Sequence, residues 1–160
     1  MSGVEATRFS LAQNLPRHLP MTIQRLQDAA PIRVLLAEDD QDIREALVAV
    51  LEAEGCDVLA VVNGSELLER LGNWLLEEAS EPPADVIITD VRMPGFNGLS
   101  IIDGLRAYGW PLPVIVISAF ADDEMRTKIA DIRSAALMEK PLDIKRLKPT
   151  MLRLIGREEN

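Results

Sequence analysis

Short apolar runs punctuate this chain, and most of them end in a residue able to do chemistry. Ile32 to Ala37 gives way to Glu38-Asp39-Asp40, and Val86 to Thr89 gives way to Asp90. Val114 to Ile117 leads to Ser118-Ala119, and a shorter run, Ala136 to Met138, leads to Lys140-Pro141. One further run, Val58 to Val62, ends instead in the turn pair Asn63-Gly64. Nearly continuous apolar runs of this length are the pattern of strands covered on both faces.

Between the runs, apolar positions return at helical spacing. Ile43, Ala46, Leu47, Val50 and Leu51 form one stripe, which Gly55 stops. Leu67, Leu68, Leu71, Trp74 and Leu75 form a second after Ser65, read as its cap, and Glu81-Pro82-Pro83 breaks it. Leu99, Ile102 and Leu105 follow Asn97-Gly98 and end before Gly109-Trp110-Pro111. Asp122-Asp123-Glu124 favours a fourth helix start, since acids suit its positive end. Asp143 is the expected cap of a fifth helix carrying Ile144, Leu147, Met151 and Leu154. Five strand–helix units predict an α/β domain, a five-stranded parallel sheet with helices on both faces and right-handed crossovers.

With 160 residues, 48% of them apolar, the chain is long enough for one sizeable core. Residues 1–31 hold Pro16, Pro20 and Pro31, with helical spacing only from Thr22 to Ala29, and read as an N-terminal extension. Residues 32–156 read as the folded domain and 157–160 as a tail. The net charge of −9, without a Lys/Arg cluster, argues against direct nucleic-acid binding. The single cysteine, Cys56, forms no internal disulfide, and nothing at the N-terminus reads as a secretory segment, so a cytoplasmic protein is expected. No apolar stretch approaches the ~20 residues of a membrane-spanning helix.

In an open parallel sheet, functional groups gather beyond the carboxyl ends of the strands. Glu38, Asp39 and Asp90 brought together there would repel one another unless a cation joins them or their pKa values rise. An oxygen-only donor set favours Mg²⁺ or Mn²⁺ over zinc. Each motif has a bland reading by itself: a solvated acidic loop with Asp40 as a helix cap, a loop lysine, a turn serine. Their joint occurrence in order, each after a strand, outweighs those readings for all but Asp40, which keeps the cap. Thr89, His18, Cys56, Trp74 and Trp110 read as packing or surface residues.

Glu38-Asp39-Asp40, Asp90-Val91-Arg92-Met93-Pro94-Gly95, Asn97-Gly98, Ser118-Ala119 and Lys140-Pro141 together resemble the response-regulator receiver domain of two-component signalling, over roughly residues 32–155. The resemblance implies a flavodoxin-like, doubly wound sheet with strand order 2-1-3-4-5. It implies that Asp90 accepts a phosphoryl group from a histidine kinase or a histidine phosphotransfer protein in the presence of Mg²⁺. Asp39, Asp90 and the backbone carbonyl of Arg92 would ligate the metal, Glu38 acting through a water. Lys140 would contact one phosphoryl oxygen, and Ser118 would move to donate to another.

Two departures from the family are visible. Where it often has Tyr or Phe, three residues before the lysine, this chain has Leu137, so the resemblance implies no aromatic switch at that position. The stretch from Asn63 to Asp90 is longer than usual, which fits either a partner surface or a tolerated insertion. Arg92 and Phe120, two residues past Asp90 and Ser118, are bulky at positions that influence water access and imply slow self-dephosphorylation.

The expected function is a stand-alone response regulator signalling to a downstream protein through phosphorylation-dependent contacts, since nothing after Leu154 could form an output domain. A homodimer through the fourth and fifth helices is implied by resemblance alone. A phosphate shuttle in a phosphorelay would use the same residues. A phosphorylation-independent pseudo-receiver is disfavoured by the complete acid, hydroxyl and lysine set. A small-molecule hydrolase of the haloacid dehalogenase type would need a second Asp where Arg92 stands, so no turnover enzyme is expected.

Overall fold

The computed structural model describes residues 30–76, 82–93, 96–107, 112–132 and 134–157. The N-terminal extension with His18 and the Thr22–Ala29 stretch, residues 77–81, and residues 94–95, 108–111, 133 and 158–160 lie outside them. So do the side chains of Leu75, Ile102 and Leu105.

Strand and helix alternate as the periodicity predicts. The elements are β1 (Arg33–Ala37), α1 (Gln41–Ala53), β2 (Asp57–Val61), α2 (Gly64–Leu76), β3 (Val86–Asp90), β4 (Arg92–Met93), β5 (Phe96–Asn97), α3 (Gly98–Ala107), β6 (Val114–Ser118), α4 (Asp123–Ala130), β7 (Ala135–Glu139) and α5 (Ile144–Ile155). Five strands form one parallel sheet in the order β2-β1-β3-β6-β7. With the two-residue antiparallel ribbon β4–β5 set aside, this is the doubly wound order 2-1-3-4-5. The ribbon itself has no apolar periodicity to announce it.

Alternation along the strands divides the core in two. Leu35, Ile87, Val114 and Val116 pack with Leu67 and Leu71 of α2 and Met125 and Ile129 of α4. Val34, Leu36, Val86, Ile88, Ile115 and Ile117 pack with Leu47 and Leu51 of α1 and Leu147 and Met151 of α5. Both faces of β3 and β6 are covered, which is why their sequences are unbroken apolar runs. Leu68, 48% exposed, and Ile144, 39% exposed, leave the buried stripes to which spacing assigned them.

The caps follow short side-chain oxygens. Asp40, Asp122 and Asp143 accept from the backbone N–H groups of Ile43, Met125 and Lys145, so all three predicted helix starts stand. The second helix differs: Asn63 Oδ1, not Ser65, accepts the N–H of Glu66 at 2.8 Å. Gly64 is already helical, which leaves Asn63 as the last residue outside the helix with an oxygen to offer. Glu66 answers by accepting the N–H of Val62. Gly156, at φ 74°, ends α5 in the left-handed conformation that suits glycine.

Far from the carboxyl ends, β1 and β3 are clamped together. Arg33 donates its backbone N–H to Asp85 Oδ2 at 2.8 Å and a guanidinium N–H to Oδ1 at 3.1 Å, while a second guanidinium N–H reaches the Pro82 carbonyl. The Asp85 N–H returns a bond to the Arg33 carbonyl.

Register then positions the opposite end. Ala37 pairs with Thr89, so the next residues, Glu38 and Asp90, stand side by side at the carboxyl end of the sheet. Asp90 pairs with Ile117 and Ser118 with Glu139, placing Ser118 and Lys140 successively farther along the same edge.

Candidate functional site

Glu38 is fully buried, its N–H still bonded to the Val61 carbonyl of β2, and its Oε1 accepts the N–H of Asp40 at 3.1 Å. Asp39 is exposed, and Asp40 is occupied as the cap of α1. Asp90 is buried with both oxygens engaged: the Arg92 N–H donates to Oδ1 at 3.0 Å and Lys140 Nζ to Oδ2 at 2.7 Å. Lys140 also reaches Glu38 Oε2 at 3.3 Å, so one ammonium bridges two carboxylates. Oxygens of Glu38, Asp39 and Asp90 all lie within 4.8 Å of one another. The structure thus brings the two acids after β1, the acid ending β3 and the lysine after β7 to one place.

Ser118 is buried at the end of β6, where its Oγ accepts the N–H of Phe120 at 3.2 Å. Arg92 is exposed, with its guanidinium carbon 5.8 Å from the centroid of the Phe120 ring. Leu137 is half-buried and packs against the core on the side of α2 and α4. Thr89 packs as expected, but its hydroxyl also donates to the Asp90 carbonyl at 3.0 Å.

Arg44, from the first turns of α1, donates to the carbonyl oxygens of both Glu38 and Asp39, at 2.9 and 3.3 Å. It braces the acidic loop through the backbone, leaving the carboxylates free for other partners. Sequence reading passed it over because an arginine six residues after an acid shows no periodic signal; only the turn between β1 and α1 brings it back.

The charges are under tension. Burial, reinforced by the charge of Asp90, pushes the Glu38 carboxyl from 4.5 up to about 7, against the opposing pull of the Asp40 N–H and of Lys140. Burial alone would lower Lys140, but its bonds to Asp90 and Glu38 outweigh that, and its pKa is raised. Lys140 therefore stays charged at neutral pH, and one cation faces three acids. An all-oxygen set of this kind, one member buried at a cost and one exposed, has the donors for a hard divalent ion such as Mg²⁺.

Among the described residues, no helix is long and apolar enough to cross a membrane. Comparison with known proteins is specific. The chain is 31% identical over 129 residues to the response regulator MprA of Mycolicibacterium vanbaalenii, a stretch that is 79% of this chain and 52% of that protein. It is 32% identical over 111 residues to the DNA-binding transcriptional regulator NtrC of Escherichia coli, covering 69% of this chain and 22% of the relative. The chain thus spans about half the length of MprA, and less of NtrC. The receiver domain of the Francisella response regulator 1452 superposes with a TM-score of 0.64 at 27% identity, over 79% of this chain and 98% of that one. The family described as the response regulator receiver domain matches residues 34–151, the stretch from β1 into α5 that holds every site residue named above. By fold, by site geometry and by this match, the chain belongs to the response regulator receiver domain family.

Proposed function

We propose that this protein accepts a phosphoryl group on Asp90 from a histidine kinase or a histidine phosphotransfer protein and signals through contacts that depend on that modification. The observation that carries the reading is the convergence of Glu38, Asp39, Asp90 and Lys140, with Lys140 Nζ 2.7 Å from Asp90 Oδ2.

The Asp90 carboxylate attacks the donor's phosphorus; the P–O bond forms as the P–N bond breaks, and its electron pair returns to the imidazole. Lys140 holds the carboxylate and then a phosphoryl oxygen, placing positive charge where negative charge accumulates. Asp39, Asp90 and the Arg92 carbonyl would hold Mg²⁺, with Glu38 beside it through a water; when bound, the ion neutralises charge on the transferring group. Ser118, one residue beyond the neighbour of Asp90 on β6, donates its hydroxyl to a phosphoryl oxygen and carries the loop before α4 with it.

Intact mass after incubation with acetyl phosphate and Mg²⁺ tests this. One added phosphoryl group is expected in the parent protein, and none in Asp90→Ala or after chelation. Modification that persists in Asp90→Ala would sink the assignment.

A further inference from the structure

Two side chains flank the site, and each is tied through its own backbone to a group that changes during phosphoryl transfer. The Arg92 N–H is bonded to Asp90 Oδ1, and the Phe120 N–H to Ser118 Oγ. Outside the site their side chains meet, guanidinium over ring, at 5.8 Å. Phe120 is 72% exposed, so the ring is held out of the core with Arg92 across its face.

The cations around the site differ in their commitments. Lys140 is shared between Asp90 and Glu38, and Arg44 is bonded to two carbonyl oxygens. Lys128 is paired with Asp103, and Arg126 with Glu139 and Asp123. Among the described residues Arg92 has no carboxylate partner. Its contact is the face of Phe120, a weak attraction at an exposed position compared with a guanidinium's bond to a phosphoryl group.

We propose that Arg92 is a second phosphoryl-binding cation, which leaves the Phe120 ring for the phosphoryl oxygens when Asp90 is modified. This rests on the phosphoacceptor reading of Asp90. Phosphorylation converts a carboxylate carrying one negative charge into a group carrying about two. Lys140 already serves two carboxylates and Arg44 two carbonyl oxygens, so the added charge draws Arg92, which among the described residues has no carboxylate of its own. The planar fork of arginine suits phosphoryl oxygens, and the Arg92 backbone is already anchored beside Asp90. Leu137 offers no ring to rotate, whereas Phe120 lies two residues past the hydroxyl residue, bonded to its Oγ through the backbone N–H, and moves with it.

Beryllofluoride, which with Mg²⁺ mimics an aspartyl phosphate, tests the inference on the full ¹⁵N-labelled chain. The Arg92 Nε–Hε signal, identified by its loss in Arg92→Lys, should shift downfield together with the Ser118 and Lys140 amides. Emission of Phe120→Trp, read as a difference from the parent with Trp74 and Trp110, should change on adding the mimic, and that change should vanish when Arg92→Gln is added. Arg92→Gln should also weaken beryllofluoride binding about tenfold, with Arg92→Lys losing less. Shifts at Ser118 and Lys140 with Arg92 Nε–Hε and the Phe120→Trp emission unmoved would overturn this inference alone. No shift at any of them would overturn the phosphoacceptor reading, and the inference with it.

Discussion

At the residue scale, charge and exposure divide the acids at the mouth of the sheet into different tasks. Glu38 is buried and held against ionisation, Asp39 is exposed, and Asp40 is consumed by α1. Sequence made that division for Asp40, because a cap has a fixed offset from its helix. It also named Asp90, Ser118 and Lys140 as a group, because each ends a strand. It could not show that Lys140 bridges Glu38 and Asp90, since that contact joins residues 102 positions apart. Nor could it show Arg92 lying over Phe120, which depends on two loops meeting. Both side chains border the site, Arg92 through its N–H to Asp90 Oδ1 and Phe120 through its N–H to Ser118 Oγ. Phe120→Ala and Arg92→Ala should each shorten the phosphoryl lifetime several-fold, measured as loss of the added mass after the donor is removed. Unchanged lifetimes would mean that water arrives by another route.

At the scale of elements, the clamp between β1 and β3 yields a pH dependence. Burial raises the Asp85 carboxyl, but the Arg33 backbone N–H, its guanidinium bond and its charge together outweigh that, and the net pKa lies below the usual aspartate value. A lowered folded pKa means that the clamp stabilises fully above the unfolded value of ~4 and fades as the pH falls through the folded value. Asp85→Ala should cost about 1 to 2 kcal/mol at neutral pH, and the gap from the parent should close below about pH 4 in denaturant titrations. The last helix offers the opposite sign. Pro149 lies inside α5, where it supplies no N–H to the carbonyl four residues back. Pro149→Ala should raise stability by roughly 1 to 3 kcal/mol, seen as a higher thermal midpoint. The strongly amphipathic face that buries Leu147 and Met151 explains why the helix persists regardless, and why periodicity found it despite the proline. The caps of α1, α4 and α5 were legible for the same local reason. The cap of α2 was misplaced by two residues, because Asn-Gly reads as a turn until Gly64 is seen to be helical.

At the scale of the whole molecule, the parallel sheet and its order were legible because the three inner strands, β1, β3 and β6, are apolar on both faces, and so was the gathering of polar groups at one edge. The β4–β5 ribbon was not, having two residues in each strand. The edge site predicts a global response to metal. Three carboxylates that one lysine cannot balance are destabilising until a cation joins them, so Mg²⁺ should bind the folded chain in preference to the unfolded one. At a hundred times its dissociation constant, it should add about 2.7 kcal/mol to unfolding, an increase abolished in Asp39→Ala. A thermal midpoint indifferent to Mg²⁺ would argue against a metal site at these acids.

The 102 positions between Glu38 and Lys140 also order events during synthesis. A growing chain carries Glu38, Asp39 and Asp90 for 50 residues before the lysine that balances Asp90 exists. Ribosomes add ~5 to 20 residues each second, so for several seconds the acids are present without their cation. The acidic centre is therefore among the last parts of the domain to be completed, and a nascent chain has no lysine to balance its carboxylates until β7 has docked.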